Sequence, residues 1–106
     1  MCGRFVRFTS LRVLADLFDC PSPPELPARY NIAPTQPVPV VRVLRAGPAG
    51  AGREWATVRW GLIPPWADDP SIGNRMINAS AETAGEKPSL PNSLCHRRCL
   101  VPADVF

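Results

Sequence analysis

Apolar residues recur along this chain in short bursts divided by proline, and the period of the bursts changes from one to the next. Phe5-Val6-Arg7-Phe8 alternates enough for a short strand, and Thr9 or Ser10 stands where a helix cap is expected. Leu11, Leu14, Leu17 and Phe18 then share one helical face, which predicts a small amphipathic helix from Leu11 to about Asp19. Pro21, Pro23, Pro24 and Pro27 end it, because proline lacks a backbone donor and restricts the residue before it. Cys20 is expected to pack at that end. Arg29 to Pro37 places polar and turn-forming residues around one buried Ile32 and reads as an ordered loop of the kind that lines sites.

Val38 to Leu44 is β-branched and apolar, with Pro39 placing the strand's start at a sheet edge. Ala46 to Gly52 is the expected connecting turn and the most flexible segment. Ala56, Val58, Trp60 and Leu62 alternate with Thr57, Arg59 and Gly61, so a second, half-buried strand should close a hairpin with the first, with Trp60 in the core. Two tryptophans bracket the stiff Trp60 to Ala67 segment. Trp66 follows two prolines, and its ring either stands at the surface as a stacking platform for an unpaired base or packs over those prolines. In Arg75 to Thr83, Asn78 either caps a short helix or projects its amide into a site. Glu86 to Asn92 reads as a second loop, and Leu94 to Val105 as a final apolar stretch whose part from Cys99 is a buried strand. Phe106 follows at once with no polar tail, so the chain reads as interrupted, with a last strand that needs neighbours.

A length of 106 residues predicts one domain, and 14 prolines argue for long irregular connections rather than long helices. A net charge of +3 is too mild to establish a nucleic-acid partner. Arg4, Arg7 and Arg12 nevertheless fall in the first twelve residues with no acid among them, although solvated surface arginines account for this equally well on charge alone. Cys2, Cys20, Cys95 and Cys99 occur without a secretory or transmembrane segment, which predicts a cytoplasmic chain with reduced thiols. Cys95-His96-Arg97-Arg98-Cys99 has the look of half a metal site, but a single histidine and no paired C-x-x-C leave the ligand set too poor for structural zinc.

The chemistry centres on Met1-Cys2-Gly3-Arg4. Removal of the initiator methionine makes Cys2 the N-terminal residue, with a thiol and an α-amine two carbons apart. An aldehyde can close on both: the amine condenses to an imine, the thiolate adds to the same carbon, and a five-membered thiazolidine forms. Gly3 permits close approach of another chain, and Arg4 offers a planar charged fork suited to phosphate.

With these segments in view, Met1-Cys2-Gly3-Arg4-Phe5, Arg29-Tyr30-Asn31-Ile32-Ala33-Pro34, Trp60-Gly61-Leu62-Ile63-Pro64-Pro65-Trp66, Met76-Ile77-Asn78-Ala79 and Arg98-Cys99-Leu100-Val101-Pro102-Ala103-Asp104 resemble, in this order, the motifs of the SOS response-associated peptidase (SRAP) family. The resemblance runs from end to end. It implies an α+β fold of mainly antiparallel, curved sheets in a barrel-like arrangement, of which residues 1–106 supply the N-terminal half. It also implies an abasic-site processing protein of the DNA damage response. Such proteins bind single-stranded DNA and crosslink to the ring-opened sugar of an abasic site, and they carry a peptidase label because the residue or leader before the cysteine is removed. By position, Cys2 resembles the nucleophile and crosslinking residue, and Asn78 the catalytic asparagine that holds cysteine and sugar in place. Arg4 resembles a phosphate contact, while Pro34 and Trp66 resemble the surfaces on which bases near the lesion stack. The partner implied is single-stranded DNA containing abasic sites, near the nucleoid during repair, with no cofactor, metal or membrane and with a complementing C-terminal half.

Four departures bear on that expectation. Ser80 stands where the family pattern N-A-R-x-E-T has arginine, and Pro88-Ser89-Leu90-Pro91 replaces P-S-F-R, so two phosphate contacts are lost and salt dependence should be shallower. Val105 replaces a glycine. The chain also reaches Phe106 before the family's acid–base glutamate and histidine, and His96 does not match that histidine. Two other function classes stay open: an autoprocessing cysteine peptidase, and a non-catalytic DNA-binding fragment or gene remnant.

Overall fold

A computed structural model describes residues 2–44 and 52–106. Met1 and residues 45–51, which hold most of the expected connecting turn, lie outside the described part. Along the chain come β1 (Phe5–Arg7), α1 (Leu11–Leu17), β2 (Arg29–Ile32), β3 (Pro37–Val43), β4 (Arg53–Arg59), a 3-10 turn (Pro70–Asn74), α2 (Pro91–His96) and β5 (Cys99–Leu100).

Ser10, rather than Thr9, caps α1: its side chain accepts from the Arg12 N–H at 3.2 Å. The helix buries Leu11 and Leu14 of the predicted face together with Ala15, whereas Leu17, in its last turn, is 71% exposed and Phe18 is half-buried. It stops before the prolines. Asp19 adopts φ 49°, and the Cys20 N–H returns to the Ala15 carbonyl at 2.9 Å, a left-handed exit that satisfies an end carbonyl. Cys20 is fully buried there, and its carbonyl accepts from Trp55 Nε1 at 2.8 Å, tying the end of α1 to β4.

β3 and β4 pair antiparallel, Val38 opposite Val58, Val40 opposite Ala56 and Arg42 opposite Glu54. Because side chains alternate across a strand, Val38, Val40, Ala56 and Val58 share one face. They meet Phe5 and Ile32, themselves paired between β1 and β2, in the core cluster, with Trp60 half-buried at its margin. Its ring lies 5.5 Å from that of Phe5, tilted 54°, a favoured aromatic geometry. The last residues return to β1, where the Val6 N–H donates to the Val105 carbonyl at 2.8 Å and the Asp104 N–H to the Val6 carbonyl at 2.8 Å.

Several sequence expectations require correction. The strands form a two-stranded sheet (β1-β2) and a three-stranded one (β4-β3-β5), antiparallel throughout, and among the described residues they do not close into a barrel. Arg29 to Ile32 is a strand rather than loop; Arg29, Tyr30 and Asn31 carry no apolar alternation, and pairing with β1 supplies what local sequence lacks. β4 occupies 53–59 rather than 56–62, since the chain turns at Trp60-Gly61, where Gly61 has φ 129°. The second loop ends early, at α2, whose six residues are too few to show a helical stripe. β5 is two residues long and exposed, not buried: Leu100 retains 52% of its accessible surface, since nothing among the described residues covers it. No helix among the described residues is long and apolar enough to cross a membrane.

Candidate active site

Cys2 and Asn78 are 76 residues apart in sequence and meet because an intervening segment is pinned on both sides. After β4, the Trp60 N–H donates to the Gln36 carbonyl at 3.1 Å and the Trp60 carbonyl accepts from the Thr35 N–H at 2.9 Å. Gly61 then crosses against Gly73, so closely that a side chain at Gly61 would collide with the Gly73 carbonyl. Beyond it the Leu62 N–H donates to the Met76 carbonyl at 2.9 Å, and the indole N–H of Trp60 to the Ile77 carbonyl at 2.9 Å. With Met76 and Ile77 fixed, the next side chain is delivered to the N-terminus. Asn78 Oδ1 accepts the Cys2 N–H at 3.2 Å, and Asn78 Nδ2 donates to the Cys2 carbonyl at 3.0 Å. One amide thus holds both backbone groups of the candidate nucleophile. Asn78 caps no helix.

The two residues line a cleft of about 500 Å³ whose other walls are largely apolar, among them Phe5, Trp60, Leu62, Val101 and Phe106. Arg59 also borders it, its guanidinium hydrogen-bonded to Asn74 Oδ1. The remaining sequence-derived candidates stand elsewhere. The exposed Arg4 donates to Asn31 Oδ1 at 2.9 Å. Pro34 is half-buried in a turn ordered by Gln36, whose side-chain Oε1 accepts the Ala33 N–H at 3.1 Å. Trp66 sits in the turn closed by the Ala67 N–H on the Pro64 carbonyl at 3.0 Å and is 59% exposed, so its ring is not packed away over the prolines. None of the three lines the Cys2 cleft.

The SOS response associated peptidase (SRAP) family model matches residues 1–106. The chain belongs to this family. Among curated relatives it is 41% identical over 109 residues to the abasic site processing protein YoaM of Bacillus subtilis, 39% over 109 residues to YobE of the same organism and 33% over 110 residues to YedK of Escherichia coli. These alignments take in 100%, 100% and 98% of this chain but 46%, 48% and 46% of the relatives, so the SRAP chain described here spans about half their length. No solved structure matches it.

In this SRAP chain two further residues brace the far end of β1, the strand that follows the Cys2 segment, and sequence reasoning assigned neither that task. Asp104 accepts the Phe8 N–H at 2.6 Å, the Thr9 N–H at 2.9 Å and the Thr9 hydroxyl. These bonds, that of the Thr9 hydroxyl foremost, hold its carboxyl below the usual carboxylate range, with a smaller contribution from Arg7. Arg7 is buried, donates to the Pro27 carbonyl at 2.5 Å and to the Thr9 carbonyl at 3.3 Å, and leaves Nε unpartnered. Burial and then Arg29 lower its pKa, which Asp104 partly offsets. Asn31, the acceptor of Arg4, was also unassigned; its place in the Arg29-Tyr30-Asn31 motif was the available signal. Among the described residues no three His, Cys, Asp or Glu side chains gather as metal ligands. Cys95 and Cys99 are free cysteines on exposed residues, and partial shielding of its sulfur from water raises the pKa of Cys99.

Proposed function

We propose that this chain captures abasic sites in single-stranded DNA as a covalent thiazolidine on Cys2, once removal of Met1 has freed its amine. The observation that carries the reading is the double hydrogen bond between Asn78 and the two backbone groups of Cys2, at 3.2 and 3.0 Å, beside an apolar cleft. The names of the relatives, abasic site processing proteins, supply the substrate class.

The chemistry follows from that placement. The bond to Asn78 Oδ1 uses an N–H of Cys2, leaving the amine lone pair to attack C1′ of the ring-opened sugar. Carbinolamine collapse expels the aldehyde oxygen as water and gives an imine. The thiol then adds across C=N, sulfur bonding to C1′ and its proton passing to nitrogen, and the five-membered ring closes. Asn78 Nδ2, by fixing the Cys2 carbonyl, limits rotation about the bonds that aim amine and thiol at one carbon, the positioning contribution that accounts for much of such rate enhancements. The apolar walls keep water from the imine. Arg4 contributes charge for a neighbouring phosphate, and Pro34 and Trp66 offer surfaces for flanking bases. The family's glutamate and histidine correspond to no residue within 1–106, and ring closure of an N-terminal cysteine on a free aldehyde proceeds without them, more slowly.

Intact-mass spectrometry, before and after incubation with a single-stranded oligonucleotide carrying one abasic site, tests this reading with Cys2→Ala as control. Expected are a mass lacking Met1 and a heat-stable adduct absent from Cys2→Ala. A folded sample that loses Met1 and forms no adduct sinks the proposal. Retained loss of Met1 in Cys2→Ser disposes of self-processing as the source of the free terminus.

A further inference from the structure

We infer that Arg75 and Lys87 form a phosphate-binding step between the Cys2 cleft and Trp66, over which the DNA strand leaves the lesion. The inference rests on the proposed function and names how that site holds its substrate. A second cleft, of about 340 Å³, shares Trp60, Gly61, Leu62, Ile77 and Asn78 with the Cys2 cleft, so the two are contiguous across the Asn78 side chain. Its own contribution is cationic: Arg75 and Lys87 line it and no aspartate or glutamate does. The one ion pair among the described residues joins Arg42 to Glu54, and neither the Arg75 guanidinium nor the Lys87 ammonium is hydrogen-bonded to any described residue. Both are exposed.

Arg75 also borders a third cleft, of about 260 Å³, whose wall includes Trp66. Asp68 and Asp69 line it too. Asp69 is engaged in capping the 3-10 turn, its carboxylate accepting the Ser71 N–H at 2.9 Å and the Ser71 hydroxyl at 2.7 Å. The order along the surface is therefore nucleophile, amide clamp, two unpaired cations, exposed indole. That is the order a single strand presents when its abasic sugar is at Cys2, the next phosphodiester follows, and the next base seeks a flat partner. Arginine suits the middle position because its fork matches two phosphate oxygens and its plane can lie against a base.

The test uses the whole chain and two probes: a single-stranded oligonucleotide with an abasic site, and free 2-deoxyribose, which has the aldehyde but no phosphate. Non-covalent affinity is measured by fluorescence anisotropy on the same oligonucleotide bearing a tetrahydrofuran analogue, between 50 and 200 mM salt. Arg75→Ala and Lys87→Ala should each remove one phosphate contact. The slope of log affinity against log salt then falls by about 0.7 per variant, so the loss across this salt range is about 2.6-fold smaller than in the parent. Crosslinking to the abasic oligonucleotide slows, whereas adduct formation with 2-deoxyribose keeps the parent rate. Arg12→Ala, on α1 and outside all three clefts, should leave the slope unchanged. Parent-like slopes in both variants, with the Cys2 adduct still forming, overturn this inference and leave the proposed function standing. An equal effect of Arg12→Ala, or slowed reaction with 2-deoxyribose, overturns it as well, the first by showing diffuse charge and the second a structural role. A folded parent that neither binds nor crosslinks overturns both.

Discussion

Replacing Gly61 with alanine should separate Asn78 from Cys2 without touching either residue. The alanine Cβ would stand 3.0 Å from the carbonyl carbon of Gly73 and closer still to its oxygen, and the atoms in the way are backbone, which cannot rotate aside. Gly61 also has φ 129°, a region that side-chain-bearing residues occupy only with strain of about 1–3 kcal/mol. Overpacking of this kind adds about 1–3 kcal/mol, so the variant should lose about 2–6 kcal/mol of stability. Relief comes most easily by parting the Trp60–Leu62 segment from Met76–Ile77, which are joined by two hydrogen bonds of 2.9 Å. That movement passes to Asn78. A displacement of about 1 Å at a positioning group costs on the order of 10²-fold in rate. Urea unfolding and the rate of Cys2 crosslinking would be measured for Gly61→Ala beside Gly85→Ala, where a Cβ meets nothing within 4 Å. Gly61→Ala unfolding within about 0.5 kcal/mol of Gly85→Ala, and crosslinking at the parent rate, would refute the reasoning.

Asn78→Ala and Asn78→Asp should both slow crosslinking by about 10–100-fold; aspartate keeps an acceptor for the Cys2 N–H but loses the donor to the Cys2 carbonyl, so parent-like kinetics in Asn78→Asp would show that the 3.0 Å bond is idle. Asp104 has a depressed folded-state pKa, so its contribution to stability is fully present above the ordinary carboxylate value of about 3.9 and is lost as pH falls through the lowered folded value. Asp69 and Glu82 are depressed too, through Ser71 and Ser80, and add to the same acid-side loss; thermal melts of Asp104→Asn should start less stable at pH 7 and decline less steeply on acidification than the parent. Trp66→Ala should leave unfolding within about 0.5 kcal/mol of the parent, as its ring is exposed. It should weaken single-stranded DNA binding by about 1–3 kcal/mol in anisotropy titrations, and unchanged affinity would remove Trp66 from the interface.

Much of this molecule was legible in short windows of sequence. The Leu11, Leu14 pair, a cap at Thr9 or Ser10, the β-branched run of β3 and the alternation in β4 depend on neighbours within a turn or a strand, and local pattern reports them. The start of the 3-10 turn at Asp69-Pro70, an acceptor followed by a residue with no N–H to satisfy, was a local signal left unused. β2 was not readable, since Tyr30 and Asn31 have exposed side chains and become strand only through β1. The burial expected of β5 failed for the converse reason: Leu100 and Val101 have the composition of a core strand, but burial belongs to whatever lies opposite.

The candidate chemistry divides along the same line. The sequence alone determined that Cys2 carries thiol and latent amine together, that Arg4 lies two residues on, and that the five ordered motifs are those of the SRAP family. It left Asn78 between two roles, because an asparagine's side chain offers the same donor and acceptor to a helix end as to a distant backbone. The tertiary structure decided between them. The close crossing of Gly61 and Gly73, and the pairing of Trp60 and Leu62 with Ile77 and Met76, bring residue 78 to residue 2, a contact whose geometry depends on every intervening hydrogen bond and so is written in no single stretch of the chain.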